Sequence, residues 1–198
     1  VFPFLLDLSQ PDGATRLVDQ IQQEGHHIQV LVTAAGVGYI GEHVNMDASA
    51  ETAMITLNIQ TLTILTRLFV KEMILAGGGS VLNISSIGAF FPGTLCASYY
   101  AGKSYVYQFS RALADEVCKH GILISVACPG TTKTEFFERA GGKTPTNGMS
   151  AEKTAEIIYR QFMKGRKVII PGLLNKCSRW LPARLEQGAI ASMNQKRM

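Results

Sequence analysis

Ser80-Val81-Leu82-Asn83-Ile84-Ser85-Ser86, followed at a distance by Ile122-Leu123-Ile124-Ser125-Val126-Ala127-Cys128-Pro129-Gly130, frames the stretch that decides the fold. Both runs are short, largely apolar and without strict alternation, which is how a strand buried on both faces reads. Between them, residues 97–119 repeat apolar positions at steps of three and four, with Val106, Phe109, Leu113 and Val117 as the inner stripe. The unit is therefore strand, helix, strand, with Pro129-Gly130 stopping the second strand.

The same alternation extends outward. Phe2–Leu8 reads as a buried strand ended by Ser9-Gln10-Pro11-Asp12. Residues 11–24 read as a helix with Leu17, Val18 and Ile21 on one face and Gly25 as its stop. Ile28–Thr33 is a second strand. Residues 48–76 form one long helix, with Met54, Leu57, Thr61, Leu65 and Leu68 in register, ended by Gly77-Gly78-Gly79. Downstream of Gly130, Ser150 N-caps a helix through about Met163, Val168–Ile170 is the last strand, and a helical tail follows with Pro182 interrupting it. Apolar strands alternating with helices predict an α/β fold: a doubly wound parallel sheet, Rossmann-like, in three layers α/β/α. Residues 1–198 read as a single domain, with a polar loop at 131–150 and a basic tail at 171–198.

Composition narrows the class. The 198 residues are 46% hydrophobic and 17% charged, so a disordered chain is excluded. The most apolar region, Met54–Ala76, contains Asn58, Gln60, Arg67, Lys71 and Glu72, which argues against a transmembrane span. Cys96, Cys118, Cys128 and Cys177 form no CxxC pair and suit reduced thiols in a cytoplasmic protein. Val1 opens an apolar run without a basic region or cleavage pattern, so a signal peptide is not expected. The net charge of +4 is uneven: from Lys164 onward eight Lys/Arg face Glu186 alone, a local +7. A solvated helix explains the tail, and a weak contact with an acidic membrane surface is the charged alternative. Trp180 is the only aromatic among those charges, so no nucleic acid is expected.

Ligands on such sheets sit beyond the carboxyl ends of the strands, so the residues there carry the functional reading. Gly36-Val37-Gly38-Tyr39-Ile40-Gly41 fits GxGxxG, but Glu42-His43-Val44-Asn45-Met46 separates it from any helix. A dinucleotide fingerprint must open a helix at once, so these glycines read as a turn beneath a ligand. Tyr99-Tyr100-Ala101-Gly102-Lys103 places a phenol and an ammonium one turn apart on one helix face. A cation at that spacing favours the phenolate and makes the phenol usable as an acid or base. Ser86 lies at a strand end thirteen residues before Tyr99, and Asn58 is a polar amide inside the long helix. Ser85 competes with Ser86, but in a strand the two face opposite sides. The histidines His26, His27, His43 and His120 lack metal-ligand spacing and sit at turns, and no metal is expected.

Together Leu6-Asp7-Leu8, Thr33-Ala34-Ala35-Gly36, Leu57-Asn58-Ile59, Asn83-Ile84-Ser85-Ser86, Tyr99-x-x-x-Lys103 and Pro129-Gly130-Thr131-Thr132-Lys133-Thr134 resemble the short-chain dehydrogenase/reductase family, compact branch. The resemblance implies Tyr99 as the catalytic acid/base, Ser86 as the positioner of the substrate carbonyl, and Lys103 as the residue that binds the nicotinamide ribose and lowers the pKa of Tyr99. It implies Asn58 as holder of a proton-relay water, Asp7 and Leu8 at the adenine, Ala35 and Gly36 beside the cofactor, and Pro129, Gly130 and Thr134 at the carboxamide. The implied cofactor is NADP or NAD. The family's glycine-rich opening βαβ unit has no counterpart in this sequence, so the implied domain is incomplete at its N-terminus.

Three functions follow as expectations. The first is an NAD(P)-dependent oxidoreductase acting on a small apolar ketone or alcohol, for which Phe136 and Phe137 in the 131–150 loop argue. The second is an epimerase or dehydratase, against which the short region after Thr134 weighs. The third is a non-catalytic core that oligomerises without holding cofactor. Family members pair the helices at 48–76 and 97–119 about a two-fold axis, so a homo-oligomer is implied. Ile64, Phe69, Tyr105 and Tyr107 are read as its outward-facing residues.

Overall fold

The apolar runs do pair as parallel strands. In this computed structural model, which describes residues 1–178, 190, 192 and 194–196, the strands are β1 (Val30–Thr33), β2 (Gly79–Ile84), β3 (Ile122–Ala127), β4 (Thr132–Lys133), β5 (Met149–Ser150) and β6 (Val168–Ile169). The main sheet runs β1-β2-β3-β6, all parallel, with Val30 opposite Ser80, Gly79 opposite Ile122 and Val126 opposite Val168. β4 and β5 form a separate two-stranded ribbon at the ends of the loop.

The helices are α1 (Gly13–Gln23), α2 (Ala48–Ile55), α3 (Leu62–Leu75), α4 (Ala97–Val117), α5 (Phe136–Arg139), α6 (Ala151–Phe162) and α7 (Leu173–Ser178). Alternating strand residues divide the core. Val81 and Ile124 pack against Val18 and Ile21 of α1, Phe69 and Met73 of α3, and Val117 of α4. Leu82, Ala127 and Ile169 pack on the opposite face against Ile158 and Phe162 of α6. Helices thus cover both faces, as the three-layer expectation requires. Ser150 caps α6 by accepting from the Lys153 N–H, as its sequence position predicts. Cys177 and Ser178 end α7, and the expected break at Pro182 lies outside the described residues.

A buried polar network locks the strand ends to the helices. The Thr33 hydroxyl donates to Asn83 Oδ1 at 2.8 Å, and Asn83 Nδ2 donates to Ser110 Oγ at 2.9 Å. Asn83 is fully buried, and leaving either group unpaired there would cost about 1–3 kcal/mol. The network ties β1, β2 and α4 together immediately below the residues of functional interest.

Two sequence expectations need correction. Residues 2–7 have no regular structure and Leu8 begins a turn, because a strand needs a hydrogen-bonded neighbour and none adjoins them among the described residues. Phe2 and Leu5 are exposed there, and only Phe4 packs against the core. The helix phases also differ from the sequence reading. Phe69 and Tyr107 point inward and are buried, while Phe109 and Leu113 are half-buried on the rim. The buried stripe of α4 is Lys103, Val106, Tyr107, Ser110, Ala114 and Val117. By length and apolar content alone, the continuous helix Ala48–Leu75 could cross a bilayer, although the sequence reading excluded a span. Half of its most apolar window is buried against the sheet and α1, as in a core helix.

Candidate active site

The carboxyl end of β2 and the first turns of α4 meet at the sheet's upper edge. Ser85 is buried and its hydroxyl donates to the Lys103 carbonyl at 2.7 Å, fastening α4 to the strand end. Ser86, one residue on, turns the other way: its Oγ accepts from the Gly88 N–H at 3.0 Å and is hydrogen-bonded to the Tyr99 hydroxyl. Ser85 and Ser86 therefore divide the labour that their alternation predicts, one structural and one facing the tyrosine.

Lys103 is buried, with Nζ donating to the Ile84 carbonyl at 2.9 Å and lying 5.7 Å from the centre of the Tyr99 ring. Burial pushes its pKa down to about 8, with Cys128 pulling the other way. An ammonium has three N–H donors, and the Ile84 carbonyl takes one. Burial likewise holds the Tyr99 phenol above its ordinary value, and the Ser86 hydrogen bond offsets only part of this. The resemblance implies a lowered tyrosine. In this structure desolvation of the phenolate outweighs that expectation, so the phenol keeps its proton at neutral pH.

Asn58 lies in a π-helical turn, Thr56–Thr61, between α2 and α3. Such turns inside α-helices often mark functional sites. Its side chain grips the loop after β1: the Val37 N–H donates to Oδ1 at 3.0 Å, and Nδ2 donates to the Val37 carbonyl at 2.8 Å. Gly36 is held between Asn58 and Lys103. A Cβ on it would lie 3.2 Å from Asn58 Oδ1 and 3.5 Å from Lys103 Nζ. The glycine therefore keeps the loop backbone close to both side chains.

A cavity of about 470 Å³ opens over these groups. Gly36, Ser86, Tyr99, Lys103, Pro129, Gly130 and Thr134 all line it, and Asn58 reaches it through Gly36. Asp7, Leu8 and Ala35 do not line it. Asp7 is exposed, and its carboxylate accepts from the Ser9 N–H, the Ser9 hydroxyl and Gln10 Nε2, which lowers its pKa to about 2. Leu8 is placed by the Thr61 hydroxyl, which donates to its carbonyl at 2.7 Å. At Gly130, a Cβ would meet the Asn175 side chain of α7 at 2.4 Å, so a larger residue there would have to displace that amide. Thr134 Oγ1 accepts from the Phe136 N–H at 3.3 Å.

The cavity's apolar wall was only partly visible in the sequence. Ile40, Cys96 and Ala140 form a buried cluster with Tyr100, Phe136 and Phe137 packed against it. Tyr100 lines the cavity too, its ring lying on Gly88 and Gly93, where a residue one position after Tyr99 was expected to face elsewhere. Asn194 reaches the cavity from the tail and donates to the Thr94 carbonyl at 2.8 Å, a long-range contact with no sequence signal. Residues 36–40 form no regular turn; Gly36, Gly38, Tyr39 and Ile40 line the cavity, and the segment leads into a short 3-10 turn, His43–Asn45, before α2.

Comparison with known proteins gives the same direction. The family profile described as short chain dehydrogenase matches residues 1–144. A 3-oxoacyl-[acyl-carrier-protein] reductase, FabG, of Buchnera aphidicola is 30% identical over 138 residues, 70% of this chain and 57% of the relative. The 2-dehydro-3-deoxy-D-gluconate 5-dehydrogenase of Escherichia coli is 32% identical over 155 residues, 78% of this chain and 58% of the relative. The chain thus spans under three-fifths of the length of these curated relatives. Among solved structures, a short-chain dehydrogenase from Sphingobium yanoikuyae in complex with NADPH superposes with a TM-score of 0.79 at 26% identity, covering 98% of this chain and 74% of that one. The bulky-bulky ketone specific alcohol dehydrogenase from Comamonas testosteroni gives 0.77 at 26% identity, with the same coverage. The profile covers well over half of the residues and the solved structures share the fold, so the chain belongs to the short-chain dehydrogenase family.

Proposed function

We propose that this protein is an NAD(P)-dependent oxidoreductase that interconverts an apolar ketone and its alcohol, with Tyr99 as acid/base. The observation that carries the reading is the Tyr99 hydroxyl, hydrogen-bonded to Ser86 and backed by buried Lys103, at the wall of a largely apolar cavity. A carbonyl oxygen seated there accepts from both hydroxyls, which fixes its position and polarises it. Because burial keeps the phenol protonated, Tyr99 is poised to donate a proton as the carbonyl becomes an alkoxide.

The residues present suit the nicotinamide–ribose end of a dinucleotide. Lys103 has two N–H donors left for ribose hydroxyls after its bond to Ile84. Gly36 and Gly130 lack side chains where Cβ atoms would crowd Asn58 and Asn175. Pro129, Gly130 and Thr134 stand at the cavity rim where a carboxamide would be held. When bound, the cofactor supplies or accepts a hydride. The protein's own residues orient the carbonyl, exclude water with the Ile40, Phe136 and Phe137 wall, and hold the proton on Tyr99.

A homo-oligomer forms part of this reading. α3 and α4 leave an apolar groove of about 370 Å³ lined by Val70, Ile74, Leu75, Phe109 and Leu113 beside Arg67 and Lys71. A helix pair from a second copy would cover it. The functional test is a fluorescence titration with NADPH and with NADH, followed by acetophenone-dependent loss of NADPH absorbance. Binding with turnover supports the oxidoreductase. Absence of binding to either dinucleotide leaves the non-catalytic core as the reading.

A further inference from the structure

Phe136 occupies an unusual seat. It begins α5 in the loop between β4 and β5, yet its ring lies 5.0 Å from the Tyr99 ring, tilted at 46°. Two rings at that separation are in contact, so no substrate group fits between them. On its other side, Phe136 fills the space above Gly38, where a Cβ would stand 2.6 Å from its Cζ. Phe137 braces it from behind, edge-on at 5.5 Å. The loop is also tied down: the Ile40 N–H donates to the Ala140 carbonyl at 2.8 Å, so α5 is held against the 36–40 segment. Phe136 is therefore wedged between that segment and the tyrosine.

We propose that Phe136 is the size-determining residue of the carbonyl pocket, limiting substrates to ketones with one bulky apolar substituent and one small one. The inference rests on the reading of Tyr99 and Ser86 as the carbonyl's anchors. Once the oxygen is fixed by those two hydroxyls, the two substituents must leave the carbonyl carbon in different directions. The Phe136–Tyr99 contact closes the direction toward Gly38, so the substituent on that side must be small. The other direction runs along Ile40, Cys96, Tyr100 and Ala140, which are apolar and line the open cavity. No charged side chain other than Lys103 lines the cavity among the described residues, so nothing there would recognise a charged substituent.

Gly38 gives the proposal a second handle. A methyl group at 38 must push the Phe136 tip away from that residue by roughly 1 Å to restore ordinary contact, toward the Tyr99 ring on its other side. Gly38→Ala therefore narrows the pocket, whereas Phe136→Ala opens it. The two variants should shift selectivity in opposite directions.

The experiment compares acetophenone with isobutyrophenone, which keep the phenyl group and differ in the second substituent. For wild type, kcat/KM should strongly favour acetophenone. Phe136→Ala should move the ratio toward isobutyrophenone by roughly 10-fold or more, and Gly38→Ala should move it the other way. Ligand-observed NMR of the same two ketones with wild type and both variants gives the selectivity without turnover. An unchanged ratio in Phe136→Ala, or shifts of the same sign in both variants, overturns the proposal. If the wild type binds both ketones with this selectivity but turns over neither with NADPH, the oxidoreductase reading fails and the size-limiting role of Phe136 stands.

Discussion

Replacing Lys103 with Met should stabilise the protein at neutral pH while removing its catalytic use. Burial brings the lysine to about 8 from an ordinary 10.5, so the charged ammonium costs the folded state about 3 kcal/mol at pH 7. Methionine keeps an unbranched stem of similar length and removes that charge. It also removes the donor to the Ile84 carbonyl, a loss of about 1 kcal/mol. The net expectation is a gain of about 2 kcal/mol, or roughly 4–8 °C in Tm for a chain of this size. The pH dependence is the sharper part. Between about 8 and 10.5 the unfolded chain binds more protons at this site than the folded one, so wild-type stability rises with pH across that window. Lys103→Met lacks that rise, so its advantage should vanish by pH 10.5 and turn into a small deficit. Urea unfolding of both proteins at pH 7 and pH 10.5 measures this, and other titrating groups cancel in the difference. A variant less stable at pH 7, or an advantage equal at both pH values, would refute the burial argument.

Ketone reduction should fall as pH rises through about 8, as Lys103 loses the charge that a steady-state pH profile can follow. Asn58→Leu should cost about 1–3 kcal/mol in urea unfolding, because both Val37 backbone groups lose their partners. Ser85→Ala and Ser86→Ala should separate in kcat: each removes one side-chain bond to the backbone and so lowers stability, but only the second takes a hydroxyl from the carbonyl site and lowers kcat. Phe109→Glu should give a monomer in sedimentation velocity, since a charge in the α3/α4 groove opposes its burial.

Much of this was legible because local rules are strong where chain periodicity and turn chemistry agree. Pro129-Gly130 after an apolar run, the glycines at 77–79 and Ser150 before an amphipathic stretch each predict a boundary found within a residue or two. The Tyr99 and Lys103 pairing follows from one helical turn. The failures are of two physical kinds. Residues 2–8 have the composition of a strand, but strand formation is a property of pairs and the sequence does not show the neighbour. Phe69 on α3 and Tyr107 on α4 each have apolar neighbours on the same helix, so composition alone does not fix either helix's rotation. The cavity wall needed tertiary contacts: Phe136 against Gly38, Tyr100 on Gly93, and Asn194 bonded to Thr94 join residues far apart in the chain. Burial of Tyr99 was equally invisible, and it reverses the direction in which the helix spacing alone would move the phenol.

The central claim is that the Tyr99 hydroxyl transfers the proton. Tyr99→Phe keeps the ring that packs on Phe136 and removes only the hydroxyl bonded to Ser86. The direct measurement is single-turnover reduction of acetophenone by the NADPH-saturated variant, alongside a fluorescence titration of its NADPH affinity. The account predicts a rate lower by roughly 10²–10⁴ with affinity nearly unchanged. A variant that keeps more than about a tenth of the wild-type rate would contradict it.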